Sequence, residues 1–217
     1  MKTYNFNLDK YVSDKFFRPI RNKVQIIEVL MEAIKYIILN PDILPENITG
    51  EMILKIDKMS RLFFFNKDKY FSISFPFFVR TGENNKYFFY SNNIGHIDNE
   101  LISKVTELIS CDEFRANCSL DFIEPISDYE DKHNKDFWIF LRELMLMEDG
   151  YIRYDYDEKN YNEFKKRGEE HKHPLNHYDL FYSSKCTFKL GLKNRISKDD
   201  LIDLLNISTD CKYLSNK

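Results

Sequence analysis

The residues best suited to chemistry lie close together, between positions 151 and 192. This stretch holds three of the five histidines in the chain. The candidate site residues within it are Arg153, Asp155, His171, His173, His177 and Asp179. Histidine can transfer protons near neutral pH, aspartate can orient a histidine or bind a metal, and arginine binds phosphate. No other part of the sequence gathers as many groups of these kinds.

Alternation of side chains between the two faces of a strand predicts how these residues meet. Residues 151–157 (YIRYDYD) and 177–182 (HYDLFY) both read as strands, and an antiparallel pairing of the two would collect polar groups on one face. That face would carry Arg153, Asp155, Asp157, His177 and Asp179. Pro174 favours an extended conformation for His173, so we expect His171 and His173 to lie over the same face from the connection.

Two kinds of catalysis fit this set. In metal-independent RNA cleavage, a histidine takes the proton from an attacking hydroxyl, an aspartate orients the ring, and Arg153 holds the phosphate. In a metal-dependent hydrolase, the spacing H-x-H-x3-H of His171, His173 and His177 would hold a metal, with Asp155 or Asp179 as a further ligand. The sequence does not identify a cofactor.

Two further interpretations use some of the same residues. A divalent-metal nuclease could use Asp155, Asp157 and Lys159 as an acidic strand followed by a lysine. The non-catalytic interpretation is a cross-strand ion pair between Arg153 and Asp155 or Asp179, which contributes under about 1 kcal/mol at a surface.

The same residues carry a resemblance to a known family. The runs YIRYDYDE, EHKHPLNHYDLF, FKLGL and LIDLL resemble the C-terminal part of a family of uncharacterised bacterial proteins. In that family an R-Y-D-Y-D strand is followed by an H-P-x-x-H strand, and members often have His-x-His where this chain has His177-Tyr178-Asp179. The resemblance implies a bacterial origin and association with mobile elements and phage-defence or restriction genes. It implies no activity.

Composition limits the classes of protein. The chain has 217 residues, 43% of them hydrophobic and 16% aromatic, which is typical of a folded protein. With 32 basic and 35 acidic residues the net charge is −3, so nucleic acid would have to bind to a local basic region. The four cysteines form no C-x2-C pair, and no glycine-rich phosphate-binding loop is present. Without an apolar run of membrane-spanning length or a signal-like N-terminus, we expect a cytoplasmic protein with no membrane partner.

Periodicity and turn residues predict one α+β domain over residues 1–217, with a mainly antiparallel sheet flanked by helices. Helices are predicted at 18–40, from Pro45 or Thr49 to Lys58, at 98–109, 128–147 and 197–205. Strands are predicted at 61–80, with a turn at 66–68, and at 87–91, 112–127, 151–157, 177–182 and 187–192. The aromatic residues of the early strands suit a core beneath helices better than a base-stacking platform.

The sequence therefore predicts a defence-associated or mobile-element-associated enzyme that acts on nucleic acid, with RNA as the expected substrate. One alternative is a non-catalytic accessory or immunity subunit. Such a subunit would bind a larger effector protein from a neighbouring gene through the aromatic sheet and an acidic surface. A third interpretation is the metal-dependent hydrolase.

Overall fold

The computed structural model describes residues 2–83, 86–111, 135–183 and 186–213. Contacts between residues divide the chain into two compact units, and each is described by itself. The first unit contains Met1–Pro19, Ile43–Phe75 and Gly150–Lys217, and the second contains Ile20–Asp42 and Pro76–Asp149. All of the candidate site residues belong to the first unit.

Ten strands and six α-helices are found in the described part of the chain. The strands are β1 (Lys2–Leu8), β2 (Gly50–Ile56), β3 (Ser60–Phe65), β4 (Lys69–Ser74), β5 (Phe78–Thr81), β6 (Tyr87–Tyr90), β7 (His96–Ile97), β8 (Ile152–Tyr156), β9 (Asn176–Ser183) and β10 (Cys186–Leu192). The helices are α1 (Lys10–Phe16), α2 (Lys23–Leu39), α3 (Asn99–Ser110), α4 (Lys135–Leu146), α5 (Glu158–Lys165) and α6 (Lys198–Leu204). Short 3-10 helices cover Pro45–Asn47 and Glu170–Lys172.

The first unit is built on a seven-stranded sheet in the order β1-β2-β3-β4-β8-β9-β10. Every neighbouring pair in this sheet is antiparallel. The sheet is therefore two meanders joined where β4 pairs with β8. This join places β8 and β9 next to each other inside the sheet and leaves β10 at its edge.

One face of this sheet is covered by α6. Tyr154 and Tyr178, from β8 and β9, are buried there with Leu201 and Ile202 of the helix. Ser197 begins α6 with a capping box, in which its side chain and that of Asp200 each bond the other residue's backbone N–H. Burial of these large side chains holds β8 and β9 in place from the side opposite the candidate site.

The other face carries stacked aromatic side chains from the strands and from α1. The Phe64 and Phe71 rings are stacked at 4.4 Å, and Phe16 of α1 packs on Phe64 at 4.9 Å. Tyr151 reaches the same group, with its ring 6.0 Å from Phe71. The aromatic residues of the early strands are thus core, as the sequence favoured, because Phe63, Phe64, Phe65 and Phe71 are buried.

The second unit contains a three-stranded antiparallel sheet, β5-β6-β7, and the helices α2, α3 and α4. Helix α2 begins at the N-cap Asn22 and ends at Asn40, which takes a left-handed conformation with φ of 40°. Helix α3 begins at the N-cap Asp98, whose side chain accepts a hydrogen bond from the backbone of Leu101. Phe77 and Phe140 pack together at 5.6 Å.

The α+β class with a mainly antiparallel sheet is confirmed. The hairpin turn at 66–68 and the helices beginning at Asp98 and Ser197 are also confirmed. The first predicted helix starts later than expected, at Lys23, because Asn22 supplies the N-cap. No helix in the described part of the chain is long and apolar enough to cross a membrane.

The helix predicted from Pro45 or Thr49 to Lys58 is wrong. Beyond the short 3-10 helix, Gly50–Ile56 forms β2, which pairs with β1 on one side and β3 on the other. These two ladders bury Met52, Ile53 and Leu54, and the burial outweighs the weak helical preference of the segment. The strand predicted at 112–127 and the start of the helix predicted at 128–147 lie outside the described residues.

Two glycines with positive φ allow a test of the packing at the start of β8. Gly150 has φ of 54° and Gly168 has φ of 70°. A Cβ added at Gly150 would clash with Ser74 Oγ and lie 2.8 Å from Arg61 Nη1, whereas one added at Gly168 would meet nothing within 4 Å among the described residues. Gly168→Ala is therefore the matched control, since it adds the backbone strain without the clash.

We expect Gly168→Ala to lower the free energy of unfolding by about 1–2 kcal/mol, the cost of a left-handed conformation for an L residue. Gly150→Ala should lower the free energy of unfolding by about 1–3 kcal/mol more than Gly168→Ala does, which is the usual cost of overpacking. Urea denaturation followed by circular dichroism measures both. Equal losses for the two variants would show that the close approach at Gly150 is relieved without cost.

Candidate functional site

The pairing of β8 with β9 brings the predicted site residues together. Arg153 lies opposite Asp179, and Asp155 lies opposite His177, in one antiparallel register. Because facing residues of a ladder point to the same side, all four side chains share the face away from α6. The predicted pairing of the two strands is confirmed, and the catalytic roles assigned to these residues stay predictions.

Arg153 is held by the acidic residues on both strands. Its Nε donates a hydrogen bond to Asp155 Oδ2 at 2.8 Å, and its Nη2 donates to Asp179 Oδ2. Burial alone would lower the pKa of Arg153, but Asp155, Tyr151 and Asp179 outweigh that effect and raise it. The guanidinium is thus directed at the two carboxylates, which confirms the predicted ion pair of Arg153 with Asp155 or Asp179. The predicted contact of Arg153 with a substrate phosphate stays a prediction.

His177 is fully buried, and its neighbours determine which tautomer it adopts. Its Nδ1 lies 2.7 Å from the carbonyl oxygen of Pro174, which can only accept, so Nδ1 carries the proton. The other nitrogen, Nε2, lies 2.7 Å from Lys189 Nζ, which can only donate. Burial, followed by the charge of Lys189, lowers the pKa of His177. The imidazole is therefore neutral, with the lone pair of Nε2 directed into the cluster.

The Pro174 ring also determines how closely β10 approaches. Gly191 lies opposite His177 in the β9–β10 ladder. A Cβ added at Gly191 would lie 2.9 Å from Pro174 Cγ and 3.2 Å from its Cβ. The Pro174 ring therefore occupies the space that a side chain at position 191 would need, while its carbonyl orients His177.

Lys189 of β10 belongs to the cluster and was missed by the sequence analysis. Its ammonium donates to Asp179 Oδ1 at 2.8 Å and to His177 Nε2. It lies opposite Asp179 in the ladder, and 30% of its side chain is exposed. The signal in the sequence is that Lys189 is the one charged residue within TFKLGL, two positions before a glycine.

The two carboxylates have different environments. Burial raises the pKa of Asp155, and its Oδ1 has no hydrogen-bond partner among the residues that the structure describes. Burial would also raise the pKa of Asp179, but the hydrogen bond from Lys189 and the charge of Arg153 outweigh it and hold that pKa below its usual range. Asp179 is thus stable as an anion, whereas the buried Asp155 carries an oxygen with no hydrogen-bond partner among the described residues.

A second acid–histidine pair lies beside the cluster. His173 Nε2 donates to Asp157 Oδ2 at 3.0 Å, and the His173 ring lies 4.8 Å from the His177 ring. Asp157 is also the N-cap of α5, where it accepts from the backbone of Asn160. Burial would raise the pKa of Asp157, but its hydrogen bonds from Asn160 and His173 outweigh this effect and lower it.

The structure separates His171 from this group. His171 lies in the 3-10 helix Glu170–Lys172, and its side chain is exposed. The predicted triplet of His171, His173 and His177 therefore does not meet over one point. Lys159 lies within α5, whose N-cap is Asp157, so the predicted acidic strand that continues to a lysine ends where this helix starts.

One group in the described part of the chain has the geometry of a metal site. A ligand atom from each of Asp155, His177 and Asp179 lies within 4.8 Å of the other two, and all three residues are buried. His177 Nε2 is 3.9 Å from Asp155 Oδ2 and 3.9 Å from Asp179 Oδ1. The Nδ1–H bond of His177 to a carbonyl is the arrangement that commonly orients a metal-binding imidazole.

Comparison of the chain with protein-family models, with curated proteins and with solved structures finds no match. The resemblance to a defence-associated bacterial family therefore stays a prediction. What the site can do follows from its own geometry.

The contrast between the two carboxylates predicts different effects on stability. The lowered pKa of Asp179 means that its anion stabilises the fold above the pKa of the unfolded chain, and this contribution is lost as the pH falls through the folded pKa. The raised pKa of Asp155 has the opposite sign, so its contribution is lost as the pH rises through the folded pKa.

At pH 7 in EDTA, Asp179→Asn should lower the free energy of unfolding by about 1.5–3 kcal/mol, the range for hydrogen bonds to charged groups. Asp155→Asn should cost less, because an asparagine oxygen can still accept from Arg153 and a buried charge is removed. Urea titrations across pH measure both variants. A larger loss for Asp155→Asn would contradict this account of the cluster.

Proposed function

We propose that the protein is a divalent-cation-dependent hydrolase of phosphodiester bonds in nucleic acid. Asp155, His177 and Asp179 would hold the cation. The observation that carries the proposal is this buried group of ligand atoms, together with the Asp155 oxygen that has no partner in the described part of the chain. Buried carboxylates normally have their hydrogen bonds satisfied, so an exception of this kind suggests a partner that is not protein.

The state of His177 favours a metal ligand over a proton-transferring base. A general base must reach the proton of a substrate or of a water molecule. His177 is fully buried, its Nδ1 is bonded to Pro174, and its Nε2 faces the carboxylates. A neutral imidazole whose Nε2 carries a lone pair is the form that binds metals.

The ligand set favours certain cations. Two carboxylates and one imidazole suit Mn²⁺, Fe²⁺ or Zn²⁺ better than Ca²⁺, which prefers an all-oxygen site. When bound, such a cation supplies Lewis acidity and lowers the pKa of a coordinated water. In this proposal Arg153 is a positioning residue, because it holds one oxygen of Asp155 and one of Asp179.

The charges around the site favour a phosphate-bearing substrate. Lys189 and Arg153 lie within the cluster, and the charge of Lys69 also acts on Asp155. Lys69 is exposed and lies opposite Asp155 in the β4–β8 ladder. Lys69 and Lys189 therefore provide positive charge beside the carboxylates, although the whole chain has a net charge of −3. RNA is the expected nucleic acid.

The Asp157–His173 pair supports a second, metal-independent mechanism. His173 is partly exposed, and Asp157 orients its ring as an aspartate orients a catalytic base. In that mechanism His173 would take the proton from an attacking hydroxyl, and no cation would be needed. The two mechanisms differ in their response to chelators.

The main test is cleavage of labelled single-stranded RNA and DNA by EDTA-treated protein, with and without added Mn²⁺, Mg²⁺ or Zn²⁺. We expect cleavage that requires the cation. Asp155→Asn should slow it by at least about 100-fold, the upper end of the loss for supporting partners of metal ligands. Asp14→Asn, which alters an exposed ion pair with Lys10, is the matched control and should leave the rate unchanged.

Full activity in EDTA that is lost in His173→Asn would favour the second mechanism. An absence of both cleavage and cation binding would favour the non-catalytic accessory role. Association with phage-defence genes and with a larger effector protein stays a prediction, and co-purification with products of neighbouring genes tests it.

A further inference from the structure

Lys189 Nζ lies between two of the atoms that would bind the cation. It is 2.7 Å from His177 Nε2 and 2.8 Å from Asp179 Oδ1. We propose that Lys189 is an internal counter-cation: its ammonium occupies the cation position in the metal-free protein and must leave before the cation binds. This inference rests on the proposed function and adds a means of regulating that site.

The distances do not allow both cations to be present. His177 Nε2 and Asp179 Oδ1 are 3.9 Å apart, a gap that one metal ion can bridge. A metal about 2.1 Å from both atoms would lie within roughly 3 Å of Nζ, whichever side of the gap it takes. An ammonium and a divalent cation that close repel each other strongly, and both would compete for the same lone pairs.

Lys189 has a route out of the site. It lies on β10, the edge strand of the sheet, and 30% of its side chain is exposed. The lysine stem is long and flexible, so its ammonium can move to solvent while the backbone stays in place. Asp179 keeps its bond from Arg153 when Lys189 leaves, and so the carboxylate is not left without a partner.

This arrangement links cation binding to substrate binding. In the metal-free state, Lys189 neutralises Asp179 and occupies the lone pair of His177, which avoids an uncompensated buried charge. A displaced Lys189 is free to contact a substrate phosphate at the mouth of the site. Because coupling between two sites is reciprocal, a phosphate that draws Lys189 outward would strengthen cation binding.

The test is calorimetric titration of full-length protein with Mn²⁺ alone, for wild type, Lys189→Met and Lys10→Met. Lys10 forms an exposed ion pair with Asp14 and provides the same chemical change outside the site. We expect Lys189→Met to bind Mn²⁺ about tenfold more tightly than wild type, within the usual range of coupling. Lys10→Met should bind Mn²⁺ like wild type. Lys189→Gln, which can still donate to His177, is the second variant if Lys189→Met fails to fold.

Labelling of lysines provides an independent measure on the wild-type protein. Acetylation followed by mass spectrometry should show low reactivity of Lys189 in EDTA and high reactivity with saturating Mn²⁺. Lys10 should react equally in both conditions.

The outcomes separate the two proposals. Mn²⁺ binding that is unchanged or weaker in both Lys189 variants, with constant Lys189 reactivity, would overturn the counter-cation role and leave the metal site standing. A failure of every variant and of wild type to bind Mn²⁺ would overturn both.

Discussion

The burial of two carboxylates on adjacent strands is the constraint on which the site depends. Asp155 and Asp179 are 4% and 6% exposed, and an unpaired charge at that depth would be strongly destabilising. The register that sets Arg153 opposite Asp179 also sets His177 opposite Asp155. A slip of one residue would turn every one of these side chains to the opposite face of the sheet. The compensation of charge is thus a property of the pairing of β8 with β9.

The register of β8 and β9 is maintained by the face of the sheet opposite the candidate site. Tyr154 and Tyr178 alternate with the site residues along β8 and β9, and both are buried with Leu201 of α6. Their burial would be lost in the slipped register, so the apolar face selects the same alignment that the polar face needs. This division allows the polar face to retain an unfavourable feature, the oxygen of Asp155 that has no hydrogen-bond partner in the described part of the chain. Functional sites commonly keep such local costs, and the rest of the fold offsets them.

The part of the site that could be predicted is the part governed by alternation along a strand. Because side chains alternate between the two faces of a strand, Arg153 and Asp155 were predicted to share one face of the sheet. The same rule predicted a shared face for His177 and Asp179. The contribution of Lys189 depends on the register of the β9–β10 hairpin, which shifts between Cys186 and Thr187. A pattern of polar and apolar residues carries no information on such a shift. The ion pair of Arg153 with Asp155 or Asp179 was one of the interpretations of the sequence, but alternation along the strands could not decide between it and a contact of Arg153 with a substrate phosphate.

The errors in the predicted secondary structure have a similar origin. Gly50–Ile56 was assigned to a helix, and Lys2–Leu8 was not recognised as a strand, although Phe6 and Leu8 alternate with exposed residues. The two strands pair with each other across a long stretch of chain that includes α2. A contact between distant segments stabilises both strands and is invisible in either segment alone. Caps were predictable because the side chain and the backbone it bonds are three residues apart, as in Ser197 and Asp200.

The contact of Pro174 with Gly191 has a consequence for evolution. A side chain at position 191 would push the proline, and the proline carbonyl orients His177. Positions 174 and 191 should therefore vary together in related chains, with proline at one tolerated only beside glycine at the other. Relatives that retain the site should contain three sequence motifs in this order: R-x-D, H-P-x-x-H-x-D and K-x-G. Without this structural reason, the K-x-G motif is too short to be distinguished from a chance match.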